Sequence, residues 1–166
     1  MVKRIYLLII VVLLTGCYTT LNELTMQKTP YLGNELRIDG YYYSDIWFGS
    51  YRDVVVFYRD GFCIRDLVDS TEQIERDFLL NEELINRIKN VPTNIGVFQI
   101  MYPDIQFEIW EYRTDPTTYF GTILNDTTFI INKWVNNRTK ETKSENLTHR
   151  FKQFAPKPDS TNVYIK

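Results

Sequence analysis

Apolar and polar residues alternate along most of this chain, the two-residue period of half-buried strands. The pattern predicts strands at Leu36–Tyr43, Asp53–Arg59 and Phe62–Leu67. Asp60-Gly61 joins the last two as a hairpin pair, since type I′ turns need positive φ. After residue 69 the period changes. Ser70-Thr71-Glu72-Gln73 offers an N-cap and a capping-box partner, and Ile74, Phe78, Leu79, Leu84, Ile85 and Ile88 recur at helical spacing. Asn81 suits the cap of a second short helix and Pro92 ends the run, so 71–90 is expected as helix, break, helix.

Strands resume at Ile95–Tyr102 and Ile105–Tyr112, turning at Pro103-Asp104. In the second of these, Ile105, Phe107 and Ile109 share one face while Gln106 and Glu108 share the other. Thr118–Leu124 and Thr128–Val135 flank the turn pair Asn125-Asp126. Residues 136–145 read as a polar loop, then Leu147, His149, Phe151 and Gln153 alternate with neighbouring polar residues in a late strand. Asn162–Ile165 is expected as a short final strand. About nine short strands, linked locally with one helical insertion, predict a mainly β fold with a minor α component. An antiparallel meander closing to a small barrel protects its edges best; an open sheet packed on the helix is the other arrangement.

The start of the chain follows a different rule. Lys3 and Arg4 precede an uncharged apolar run, Ile5–Leu14, which ends at Thr15-Gly16-Cys17. A membrane-spanning helix needs about 20 apolar residues, so the run reads as a secretory signal. Leu14-Thr15-Gly16-Cys17 resembles the bacterial lipobox. That resemblance implies removal of 1–16, a diacylglycerol on the Cys17 thiol and an acyl chain, such as palmitate, on the new amino group. Two or three chains make a stable anchor where one holds only marginally. Tyr18 in place of Asp implies, by likeness to Gram-negative sorting, the outer membrane, and the lack of a Bacteroides-type acidic export cluster in Tyr18-Thr19-Thr20-Leu21-Asn22 implies a domain facing the periplasm. The expected division is signal peptide 1–16, membrane tether 17–34 and a barrel domain 35–166.

Further stretches resemble small lipoproteins of the Bacteroidetes, many of which carry lipocalin-like barrels. They are "LRIDGYYYSD" (36–45), "VVFYRDGFCI" (55–64) and "YFGTILNDTTFII" (119–131). The resemblance implies a lipocalin-like barrel, although the Gly-x-Trp opening of true lipocalins is missing. It also draws attention to Asp-Ser/Thr-Thr at Asp69-Ser70-Thr71, Asp126-Thr127-Thr128 and Asp159-Ser160-Thr161, similar to the O-glycosylation pattern of such bacteria. Ser70, Thr127 and Ser160 are the implied acceptors, and the same dipeptides serve as ordinary caps and turns.

Composition narrows the chemistry. The 166 residues hold 19 basic and 21 acidic side chains with no basic cluster, which argues against nucleic acid. Cys17 and Cys63 are the only cysteines and His149 the only histidine, so the common Zn sites have too few ligands and no metal or cofactor is expected. Cys63, in Phe62-Cys63-Ile64, reads as a buried structural thiol. No Gly-x-Ser-x-Gly elbow sets Ser50, Ser70, Ser144 or Ser160 beside His149, and no phosphate-cradling glycine loop occurs. Glu108 with Glu111, or Asp104 with Glu108, are the carboxylate pairs available to a glycosidase-like site, but Glu108 and Glu111 fall on opposite strand faces.

The expectation is therefore a non-enzymatic, lipid-anchored envelope protein. One reading binds a small apolar ligand or glycan in an aromatic pocket lined by Trp47, Phe48, Trp110 and Tyr112. The other is a structural or protein-interaction lipoprotein with a filled core and an exposed patch.

Overall fold

The computed structural model describes residues 22–69, 73–111 and 115–166, with the backbone path alone for 46–48. The strands are β1 (Gly40–Phe48), β2 (Tyr51–Phe57), β3 (Phe62–Asp69), β4 (Ile95–Met101), β5 (Asp104–Glu111), β6 (Asp115–Asn125), β7 (Thr128–Asn136) and β8 (Thr142–Gln153). Each pairs antiparallel with the next, and β8 returns to β1 from Gly40↔Gln153 to Ser44↔His149. The meander thus closes into a lipocalin-like barrel with no free edge. It does so with eight strands. Asn162–Ile165 is a local turn, in which the Asn162 side chain accepts from the amides of Tyr164 (2.9 Å) and Ile165 (2.7 Å).

Two of the shifted boundaries and one turn have local reasons. Residues 36–39 cross the end of the barrel before β1 begins, held by Leu36 N donating to Tyr31 Oη at 2.8 Å and Arg37 N to Asp126 O at 2.9 Å. The polar stretch 142–145 belongs to β8, because Thr142, Lys143 and Ser144 complete a long hairpin with Val135, Trp134 and Lys133. The β2–β3 connection is a three-residue loop, with Tyr58 N bonded to Phe62 O. Gly61 alone there takes positive φ (87°), the bulged loop that needs glycine at its last position, in place of a type I′ pair.

The helical insertion breaks where Asn81 predicted. Helix α1 (Ile74–Leu79, wound as a π-helix) is followed by α2 (Glu82–Asn90), whose N-cap Asn81 accepts from Leu84 N at 3.0 Å. Both helices lie against the outside of the barrel, burying Phe78, Leu79, Ile85 and Ile88 on Val54, Val56, Ile64 and Ile95. β2 is consequently buried on both faces, which explains its unbroken Val54-Val55-Val56-Phe57 run. Glu75 secures α1, accepting from Tyr41 Oη at 2.6 Å and pairing with Lys152 at 2.6 Å.

The barrel has two unlike ends. At the closed end the interior is plugged by Tyr31 and Leu36, above a stack in which Phe57 meets Phe98 (4.7 Å between centroids), Phe129 (5.8 Å) and Phe107 (5.9 Å). The segment leading there, 22–38, is a strap laid along the outside. It is fixed by Glu108, fully buried on the outer face, which accepts from Met26 N (2.7 Å), Thr25 Oγ1 (3.2 Å) and Asn137 Nδ2. From Asn22 onward, what was expected as a tether is therefore part of the domain. Beside it β4 and β5 run so close that a Cβ on Gly96 would sit 1.8 Å from Glu108 O. Only glycine fits there.

Lys157 ties the tail to the closed end, its ammonium donating to Ile38 O (2.7 Å) and Phe57 O (2.5 Å) over the Tyr58 ring. Burial pushes its pKa down to about 8, against the pull of Asp39 and Asp60. The folded state thus binds fewer protons than the unfolded chain between about 8 and the ordinary lysine value of about 10.4, so this group makes stability rise with pH across that window. An NMR titration of ¹³C-methylated lysines should show one ammonium with a midpoint near 8; a uniform set near 10.4 would refute the burial argument.

Candidate functional site at the barrel mouth

The other end, the mouth, is charged inside. Strand parity carries Asp53 inward with Val55 and Phe57, Arg65 with Cys63, Glu111 with Ile109, and His149 with Leu147. Asp53 and Arg65 sit diagonally on adjacent strands, since Arg65 pairs with Val55. Their side chains meet with Arg65 Nε 2.9 Å from Asp53 Oδ1 and 3.1 Å from Oδ2. His149 Nε2 lies 3.2 Å from the same Oδ2, while its ring stacks on Phe129 at 4.7 Å and 3°.

The guanidinium also reaches across the barrel. Its Nη1 donates to Glu111 Oε1 (2.7 Å) and Tyr119 Oη (2.6 Å), and its carbon lies 4.0 Å from the Tyr119 ring centre. Tyr119 Oη in turn donates to Glu111, and Thr117 Oγ1 donates to Glu111 Oε2 at 3.2 Å. Asp53 and His149 are fully buried and Arg65 nearly so, whereas Glu111 is partly open. Burial alone would raise the Asp53 pKa, but Arg65 and His149 outweigh it and hold the carboxyl below its ordinary value. Burial pulls the Arg65 pKa down, but Asp53, Tyr119 and Glu111 outweigh it and hold the guanidinium's pKa above its ordinary value.

Nearby, Glu145 Oε1 accepts from Trp134 Nε1 at 3.0 Å, while its buried Oε2 accepts no hydrogen bond among the described residues. Burial raises the Glu145 pKa. With three carboxylates around one guanidinium, the inside of the mouth, as distinct from its outer rim, suits a hydrogen-bond donor or cation better than an anion. Ser44, in register with His149, turns its hydroxyl to the backbone: its Oγ donates to Asp45 O (2.7 Å) and accepts from Asp53 N (2.9 Å). Among the described residues no group of three or more His, Cys, Asp or Glu is arranged to hold a metal ion.

The sequence-derived candidates do not converge here. Trp110 faces outward, by the same parity that turns Glu108 outward, and its Nε1 donates to Asn22 O at 2.7 Å beneath the strap. It belongs to the outer core and, with Leu24, Met26 and Tyr164, lines a cleft of about 370 Å³ on the outside of the barrel, not its interior. The Trp47 and Phe48 side chains, Tyr112, Ser70 and Cys17 lie outside what the structure describes. Thr127 is half-buried in the β6–β7 turn, its hydroxyl donating to Asn125 Oδ1 at 2.8 Å, and Ser160 is half-buried in the tail. Glu108 and Glu111 do point to opposite sides of β5, and Cys63 is fully buried with its thiol pKa pushed up by that burial.

Asp53, Arg65 and Glu111 were missed as a group. The available signal was a charge on the apolar face of each of three strands. The barrel interior beneath the network is occupied by rings, and the surface clefts lie outside the barrel. Two of them, of about 320 and 310 Å³, share Gln99 and Met101 near the closed end. Around them Leu32, Met101, Tyr102 and Leu124 are exposed large apolar side chains, and Ile123 N donates to Pro103 O, setting Leu124 beside the β4–β5 turn. No protein-family model, curated protein or solved structure matches the chain.

Proposed function

We propose that the protein is a lipid-anchored cell-envelope lipoprotein, held through Cys17 to the outer membrane and facing the periplasm, that acts as a non-catalytic interaction module. The observation that carries this reading is the occupied interior: contiguous rings fill the closed end and a paired charge network fills the mouth. What a partner can reach is the outside, above all the exposed Leu32, Met101, Tyr102 and Leu124 beside the two joined clefts. One observation favours a second reading, a small glycan or amine held at the mouth, namely Glu145 Oε2, which lies beside Trp134 and accepts no hydrogen bond among the described residues.

Native mass spectrometry of protein purified from its envelope tests both. The expected spectrum shows the chain from Cys17 with its acyl mass and no other addition. A mass that leaves on denaturation would favour the mouth ligand, and a covalent hexose-type addition would show glycosylation, to be assigned among Ser70, Thr127 and Ser160 by peptide mapping. Cys17→Ser should appear unacylated and be released from membranes; a variant that stays bound would sink the anchor.

A further inference from the structure

The strap fixes which end of the barrel is near the anchor. Asn22 is docked at the mouth, its carbonyl bonded to Trp110 and its side-chain amide donating to Asp115 at 3.0 Å, at the junction of β5 and β6. Cys17 precedes it by five residues, a reach of at most about 18 Å of extended chain. The β4–β5 turn at the closed end lies the length of β5 away, about 24 Å along the strand. A leash of that length keeps the mouth rim near whatever surface holds Cys17 and sets the closed end on the far side.

The residues presented at that rim suit a lipid surface. The β1–β2 turn carries Gly49, Ser50 and Tyr51, in which Gly49 and Ser50 are exposed and Tyr51 is 43% exposed. Tyr is one of the side chains that settle at headgroup depth. The β7–β8 hairpin beside it ends in Asn137-Arg138-Thr139-Lys140-Glu141, with exposed Lys143 at its base. Arg138, though paired with Asp115 at 2.9 Å, keeps most of its side chain in solvent. Such cations are drawn to anionic headgroups. We propose that these two hairpins rest on the headgroup layer of the leaflet that holds Cys17, so the barrel stands mouth-down and offers Met101 and Tyr102 outward. This rests on the lipobox reading of Cys17.

The test separates the two. Protein beginning at Cys17 is coupled through that thiol to a maleimide lipid in vesicles of phosphatidylethanolamine and phosphatidylglycerol; buried Cys63 does not compete. A photo-crosslinking benzoylphenylalanine is placed at Ser50 or Glu141 on the rim, or at Tyr102 or Leu124 on the far end, and lipid adducts are read by mass. Adducts at the two rim positions and none at the two far ones are expected. Adducts at Tyr102 or Leu124, or none at the rim, would overturn the orientation. An unacylated Cys17 in protein taken from cells would instead sink the anchor reading, while the vesicle result still reports the geometry.

Discussion

An Arg65→Met variant should lose about 3–5 kcal/mol of folding stability, the cost of stranding one member of a buried ion pair. Among the described residues Asp53 would be left fully buried with His149 as its remaining side-chain partner, and Tyr119 and Glu111 would lose their shared donor. The informative comparison is Arg65→Met with Asp53→Leu, which removes the pair as a unit and should be much milder than the single change. Both are read from urea midpoints at unchanged m.

The pH dependence should differ in sign. In the wild type the Asp53 carboxyl is held low, so its contribution is present above the unfolded value of about 3.9 and is lost as pH falls through the lower folded one. In Arg65→Met, burial becomes the dominant influence, the carboxyl rises above its unfolded value, and this group makes the variant gain stability on mild acidification. Parallel profiles for the two proteins would show that Arg65 is not what holds Asp53 ionised.

A Phe57→Ala change should cost about 3–5 kcal/mol for a different reason, the cavity it leaves. Phe57 is 1% exposed and touches four other rings, those of Tyr42, Phe98, Phe107 and Phe129, contributed by four other strands. A closed barrel cannot collapse around such a hole without giving up strand pairs, which places the change at the costly end of the range. Tyr102→Ala, at a side chain 65% exposed, is the control and should stay within about 0.5 kcal/mol of wild type. Similar losses for both would mean that the interior packs loosely.

Alternation made most of the strands legible, and Asn81 and Pro92 marked the helices, because these are local signals. What failed was non-local. Leu36–Ile38 alternates like a strand, yet Tyr31 and the β6–β7 turn claim its hydrogen bonds, and nothing in the segment itself announces that. Thr142–Ser144 is polar enough for a loop, but its partners on β7 extend the ladder. Trp110 drew notice as an aromatic, although its parity already turned it away from the interior. Asp53 and Arg65 read as ordinary strand charges until the register set them diagonally across one face.

The β1–β8 seam bears on how the molecule is made. The two strands that seal the sheet are contributed by opposite ends of the barrel sequence, whereas every other pairing joins chain neighbours. Hairpins can therefore form as the chain emerges, but β1 waits for its second neighbour until residue 153 has appeared. Throughout that interval the nascent sheet carries two unpaired rims, each able to recruit another copy. Escort during synthesis matters more for this chain than its finished, edgeless form would suggest.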